Sequence, residues 1–330
     1  MQSFEDFRGQ SALLTQLESD FAQGTFVHAY LFAGPKGTGK KSVARLCAAA
    51  AMCRAQGGEK KPCGVCGPCR RMLAGTHPDI HEILPESGKK TIGVEIVRGV
   101  IEEVGVSSFE GGVKALICPN AEKMTPQAQN CLLKTLEEPP EKTVFFLITD
   151  QPGALLATIV SRCRTVRFHP LDMESAKARL MALGMSAEDA LVRARISEGC
   201  VGQALDIGQE SLSLRAQVTK DVFGVKSAAD VPGVLALYKD DKEKQKQALD
   251  VLETAVRDIM VAQSGREPLA PGLYAPEAQD YARSVPLTGG IALSQTILKA
   301  KKMCASNVAF ASALETILLK VSEEYARWRW

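Results

Sequence analysis

The stretch AGPKGTGKKSVA, residues 33–44, nearly spells a phosphate-binding loop. Gly34, four further residues and then Gly39-Lys40 follow the pattern G-x-x-x-x-G-K-[ST], with Gly37 inside it. In such a loop backbone N–H groups cradle the phosphates and the lysine reaches the β and γ oxygens. The last hydroxyl binds Mg²⁺. Here Lys41 stands in the place of that hydroxyl, and an ammonium offers only donors. Ser42 comes one residue late, and on a helix it points about 100° away. The pattern suits passive nucleotide binding, or a glycine-rich turn with no ligand. Hydrolysis also needs carboxylates at the end of a later strand. The best candidate strand, Ala115–Cys118, is followed by Pro119-Asn120, and neither is an acid. Glu122 lies two residues further on, in an expected loop, and is not assigned the role. Metal and carboxylates do most of the electrostatic work of phosphoryl transfer, so their joint loss argues against a motor.

The second group is cysteine. Cys63-x₂-Cys66-x₂-Cys69 places three thiols in one short segment, and Cys53 precedes it. Four soft ligands at such spacings read as a closed tetrahedral structural Zn²⁺ site. An iron–sulfur cluster is the alternative, but the x₃-C-P continuation of ferredoxin motifs is missing. His77 and His81 compete for the fourth position; His77, beside Pro78, reads as a turn residue. The other six cysteines, Cys47, Cys118, Cys131, Cys163, Cys200 and Cys304, sit among apolar neighbours and read as small buried hydrophobes.

The elements that must position these groups are legible in outline. Short apolar runs at His28–Gly34, Ile80–Leu84, Val113–Pro119, Thr143–Thr149 and Val166–Leu171 read as strands. Between them, Lys40–Ala55, Ile92–Val106 and Thr125–Pro140 read as helices, the last with Thr125 as N-cap and Pro126 in its first turn. Strands alternating with helices imply a parallel sheet covered on both faces. From about residue 171 only helical patterns follow. The expected division is an α/β domain at 1–170 with a cysteine module at about 53–70, a small helical domain at 171–225 and a second helical domain at 226–330. Pro268–Pro276 is the clearest internal loop.

At 330 residues, 45% hydrophobic and 24% charged, the chain has the composition of a soluble globular protein. Lys+Arg at 40 against Asp+Glu at 38 is too balanced for a stand-alone nucleic-acid binder, which needs several unpaired basic contacts. No apolar run approaches the roughly 20 residues that span a bilayer. The opening MQSFEDFRGQ lacks the apolar core of a secretory signal, so a cytoplasmic location is expected.

With the cysteine insert, the stretches AGTHPD (74–79), IGVEIVR (92–98), LLKTLEEPP (132–140) and SRCR (161–164) resemble the bacterial clamp loader. This is the AAA+ group that contains the gamma/tau and delta-prime subunits of DNA polymerase III. The resemblance covers about residues 5–210, and SNVAFASALETILLK (306–320) is similar to the family's last collar helix. It implies an AAA+ P-loop-type domain, a helical lid and an all-α collar for oligomerisation. In the family's motor subunits a sensor-2 arginine stands where this chain has Gly202, in Gly199–Leu205. Lys41, Pro119-Asn120 and Gly202 all depart from that pattern. The chain therefore looks like delta-prime, a stator that does not hydrolyse ATP. Arg162 matches the family's arginine finger, which reaches ATP held by a neighbouring subunit; without the resemblance it reads as an arginine paired with a nearby acid. Thr149 matches the sensor-1 region. Glu137-Glu138, acids at a helix C-terminus, oppose its dipole and suggest an intersubunit contact. The implied partners are gamma/tau and delta subunits and, through the complex, the sliding clamp and primer-template DNA. Two other readings are an AAA+ ATPase of the gamma/tau kind with irregular motifs and an independent zinc-containing DNA-binding module.

Overall fold

The computed structural model describes the chain apart from residues 1–3, 6, 8–10, 56–59, 107, 110–111, 240, 266–273, 307 and 329–330. Most of the expected loop Pro268–Pro276 lies outside the described residues. The chain divides into two compact units, Met1–Asp206 and Ile207–Trp330.

The first unit is built on a parallel sheet of five strands, β1 (Ala29–Ala33), β2 (Ile80–Glu82), β3 (Lys114–Cys118), β4 (Thr143–Thr149) and β5 (Arg164–Arg167). Their order is β2-β3-β4-β1-β5. Strands β1, β3 and β4 are buried along their whole length, as their unbroken apolar runs require of a sheet covered on both faces. Helices α1 (Ser11–Gln23) and α2 (Lys40–Met52) cover one face, around Tyr30, Phe32 and Phe146. Helices α4 (Val94–Gly105), α5 (Pro126–Glu137) and the four-residue α6 (Ala157–Val160) cover the other, around Leu31, Leu116 and Leu147. The short α3 (Gly67–Ala74) carries Cys69. Helix α5 starts as its sequence requires: the Thr125 side chain accepts from Ala128 N–H, and Pro126 occupies the first turn, where a missing N–H costs nothing.

Three boundaries differ from the sequence reading. Helix α2 stops at Met52, and Cys53 turns out in extended conformation. The last strand is Arg164–Arg167 rather than Val166–Leu171. As an edge strand paired only with β1 it needs one buried side chain, Val166, so it carries no apolar run. Pro170, lacking an N–H, cannot extend the ladder. The segment 171–225 is shared between the units. Helices α7 (Met173–Ala182), α8 (Ala187–Ile196) and α9 (Val201–Asp206) belong to the first, closing on Ala176, Leu180, Ala190 and Ala194. Helix α10 (Gln209–Phe223) belongs to the second, where it packs on α12 (Lys242–Gln263) and α13 (Pro276–Ser284).

The second unit is helical, completed by α11 (Val231–Ala236), α14 (Leu287–Ala305) and α15 (Phe310–Trp328). Some of its polar groups pair internally: the Arg215 guanidinium donates to Thr254 at 2.7 Å, and the Tyr274 hydroxyl donates to Asp258 at 2.6 Å. No helix among the described residues is long and apolar enough to cross a membrane.

Candidate functional site

The glycine-rich loop leaves the carboxyl end of β1 and runs into α2. Strand β1 lies between β4 and β5, so the loop opens at the point where strand order reverses, the usual ligand crevice of such sheets. Gly39, at φ 86°, sits in the left-handed region that only glycine adopts freely, and it caps α2. Gly34 N–H donates to the Thr149 carbonyl at 3.2 Å, tying the loop to the end of β4. Lys40 is only 7% exposed, and its ammonium donates to the Gly34 and Pro35 carbonyls at 2.6 and 2.5 Å. Burial lowers its pKa, against an opposite pull from the Asp150 carboxylate. Lys41 is turned away to Glu82 at the end of β2, at 2.9 Å, and Arg45 joins the same carboxylate at 2.6 Å. Burial alone would raise the Glu82 pKa; the two cations outweigh it and hold it below the usual range. The position that should bear a metal-binding hydroxyl is thus committed to an ion pair.

A cavity of about 520 Å³ faces the loop, lined by Gly37, Gly39, Lys40, Lys41 and Ser42 on one side. Its apolar wall comes from Phe7, Leu84, Leu171, Leu183, Val201 and Leu205. Pro119 and Asn120 line it, as the strand assignment requires. Two carboxylates line it as well. Glu122 sits in a short 3-10 turn, Ala121–Lys123, and faces the cavity rather than lying apart from it. Asp150 directly follows β4 and lies 3.5 Å from the Lys36 ammonium. Sequence reasoning passed over Asp150, although an acid at the carboxyl end of an apolar run was the available signal.

Gly202 touches the loop itself. Its N–H donates to the Gly37 carbonyl at 2.8 Å, and the Gln203 side chain donates to the Lys36 carbonyl at 2.9 Å. A Cβ on Gly202 would lie 2.8 Å from Gly37 Cα. No larger side chain, and so no arginine, fits there in this arrangement.

Cys53, Cys63, Cys66 and Cys69 converge, with their sulfurs all within 4.8 Å of one another. A tetrahedron with Zn–S bonds of about 2.3 Å has edges of about 3.8 Å. The Cys53 and Cys66 sulfurs stand 4.0 Å apart, so the donor set fits a metal ion such as zinc with little movement. Backbone N–H groups of Cys66 and Val65 hold the Cys63 thiol down to about 6, while burial pushes Cys53 and Cys69 up. A dication would reconcile these thiols by favouring every thiolate. His77 and His81 are not in the cluster; the His77 ring accepts from Asp79 N–H and His81 lies 3.2 Å from Glu103.

Arg162 follows α6 and does not line the loop cavity. One of its terminal nitrogens lies 2.5 Å from a Glu137 carboxylate oxygen, and the other donates to the Thr158 carbonyl at 2.9 Å. Glu137, one of the two acids expected to make an intersubunit contact, pairs with Arg162 and is half exposed. Burial pushes the neighbouring Cys163 thiol up to about 12, so it acts as packing. Arg164 pairs with Asp20 at 2.7 Å.

A family model described as DNA polymerase III, delta subunit matches residues 9–172. The DNA polymerase III subunit delta' of Bacillus subtilis is 32% identical over 328 residues, 95% of this chain and 96% of that protein. The subunit delta' of Escherichia coli is 39% identical over 195 residues, 59% of this chain and 58% of that protein. The Escherichia coli subunit tau is 34% identical over 255 residues, 77% of this chain but 38% of that longer protein. Among solved structures, a gamma subunit-related protein of Thermotoga maritima superposes with a TM-score of 0.45 at 18% identity, covering 94% of this chain and 99% of that one. Near full-length similarity to the Bacillus subtilis protein settles the assignment: the chain belongs to the DNA polymerase III delta' family of clamp-loader subunits.

Proposed function

We propose that the chain is the non-hydrolysing stator subunit of a cytoplasmic DNA polymerase III clamp loader, helping to place the sliding clamp on primed DNA. The observation that carries this reading is the Lys41–Glu82 ion pair at 2.9 Å, where a motor needs a metal-binding hydroxyl. The Gly202–Gly37 contact, in the place of a sensor-2 arginine, supports it. Its partners would be gamma/tau and delta subunits, joined through the helices of the second unit, α10 included, as a collar, with α7–α9 of the 171–225 segment as lid and 1–170 as the AAA+ domain. The module at 53–70 would hold one structural Zn²⁺ through Cys53, Cys63, Cys66 and Cys69. Any ATP or ADP on Gly34–Ser42 would be bound passively.

Arg162 would act in trans, as the arginine finger for ATP bound by the adjacent subunit. A guanidinium stays charged and forks onto phosphate oxygens, and such a finger stabilises transition-state charge by a large factor. A second reading, an ATPase of the gamma/tau kind, has one feature in its favour: Glu122 and Asp150 both line the cavity that Lys40 faces. Magnesium-dependent ATP turnover by the purified chain separates the two. The stator reading expects none above background. Turnover that Lys40→Ala abolishes would establish the second reading instead.

A further inference from the structure

We infer that α5 is the jig of the finger: Gln129 fixes the start of the short helix leading to Arg162, and Glu137 holds the guanidinium. This rests on the reading of Arg162 as an arginine finger. Helix α6 has only four residues, and its N-cap, Leu156, supplies no side-chain cap. A helix that short does not persist by itself, so outside contacts must fix it. Ile159 gives it one apolar anchor, fully buried in the same core as Leu132 and Leu136 of α5.

Gln129 supplies the polar anchor. It is 3% exposed, and its side-chain oxygen accepts from Leu156 N–H at 2.8 Å. Its amide nitrogen donates to the Met124 and Ala154 carbonyls at 3.2 and 3.3 Å. Turning the amide over would put donor against donor and acceptor against acceptors, so only one orientation satisfies all three partners. The segment from Ala154 to Leu156 is thereby tied to α5 immediately before α6.

Glu137 acts at the other end. It occupies the last turn of α5, where a carboxylate opposes the helix dipole. Its partner is the Arg162 guanidinium at 2.5 Å, with the Thr158 carbonyl on the other terminal nitrogen. The two side chains are 49% and 35% exposed, so the pair adds little to stability. What the geometry supplies is preorganisation. Contacts from two elements hold a long, flexible side chain in one plane before phosphate arrives. A guanidinium carries five donors, so these contacts still leave capacity for phosphate oxygens. Restricting the side chain in advance reduces the ordering cost on engagement. Glu137 and Gln129 are positioning residues; Arg162 alone would meet the ATP.

The test uses the clamp loader reconstituted with full-length chain carrying Glu137→Gln, Arg162→Ala or both. Assembly and thermal melting are followed in parallel. Glu137→Gln keeps shape and removes charge. The expected result is unchanged assembly and KM for ATP, with kcat lowered about three- to fivefold, the size of a partly exposed ion pair. In the Arg162→Ala background it should have no further effect. An unchanged kcat for Glu137→Gln, or an equal slowing with and without Arg162, would overturn the jig while leaving the finger standing. Wild-type kcat for Arg162→Ala would remove the finger itself and the jig with it.

Discussion

The contact between Gly202 and Gly37 can be tested with two alanines. Gly202 is the second residue of α9, and Gly99 lies inside α4. Helix propensity alone favours Gly→Ala at either position, by up to about 1 kcal/mol. Their surroundings are opposite. A Cβ at Gly99 meets nothing within 4 Å. A Cβ at Gly202 would lie 2.8 Å from Gly37 Cα and 3.0 Å from its carbonyl oxygen, which are backbone atoms and cannot rotate aside. Overpacking of this kind costs about 1–3 kcal/mol. The shift that relieves it threatens the 2.8 Å hydrogen bond from Gly202 to Gly37 and the 2.9 Å bond from Gln203 to Lys36. Each of these is worth roughly 1 kcal/mol. Gly202→Ala should therefore destabilise the first unit by about 1–3 kcal/mol net, and Gly99→Ala should stabilise it slightly. For a unit of this size each 1 kcal/mol moves Tm by about 2–4 °C. Calorimetry is the right assay, because the sequence has no tryptophan in residues 1–206 and fluorescence would miss the change. If Gly202→Ala melts at or above Gly99→Ala, the steric account of the missing arginine is wrong.

Two further outcomes follow from the metal cluster and the Glu82 pairs. The purified chain should carry one equivalent of zinc in a colourless site of four sulfur ligands at about 2.3 Å by X-ray absorption. Cys69→Ser should lose the metal and expose residues 53–74 to protease, whereas a brown iron-containing protein would contradict the assignment. Glu82 is held below the ordinary carboxylate range by Lys41 and Arg45 despite its burial. A lowered folded-state pKa gives stability that is complete above the unfolded pKa and lost as pH falls through the folded one. The advantage of wild type over Glu82→Gln, about 1 kcal/mol for such pairs, should therefore be present at pH 7 and fade in acid below about pH 4. Denaturant midpoints measured across pH would show it, and a difference independent of pH would refute the pairing.

How much of this was legible in sequence depended on the range of the interaction. The buried strands announced themselves, because a sheet covered on both faces needs unbroken apolar runs such as TVFFLIT. The start of α5 was equally clear, since Thr125 and Pro126 act within one turn. The cysteine cluster followed from spacing, except that the turn freeing Cys53 lay inside an apparently continuous helical pattern. Strand β5 was misplaced, because an edge strand with one buried residue leaves almost no signal. The site was legible in what it lacks and illegible in what replaces it. That Lys41 cannot bind a cation follows from its chemistry; that it is drawn to Glu82 depends on the fold bringing the end of β2 within side-chain reach of α2. Gly202 could be seen as a missing arginine, but not as a residue pressed on Gly37. Glu137 broke a local rule, and its partner Arg162 lay on another element. Helix α10 sided with the second unit through contacts to α12 and α13 that no local pattern encodes.

The central claim is that this chain serves ATP chemistry next door and performs none itself. The most direct measurement is ATP turnover by a reconstituted clamp loader whose only change is Arg162→Ala in this chain. A trans finger is worth several powers of ten in favourable cases. The expected result is an intact complex in which turnover at the adjoining site falls by at least about tenfold. An intact complex with wild-type turnover would contradict the account.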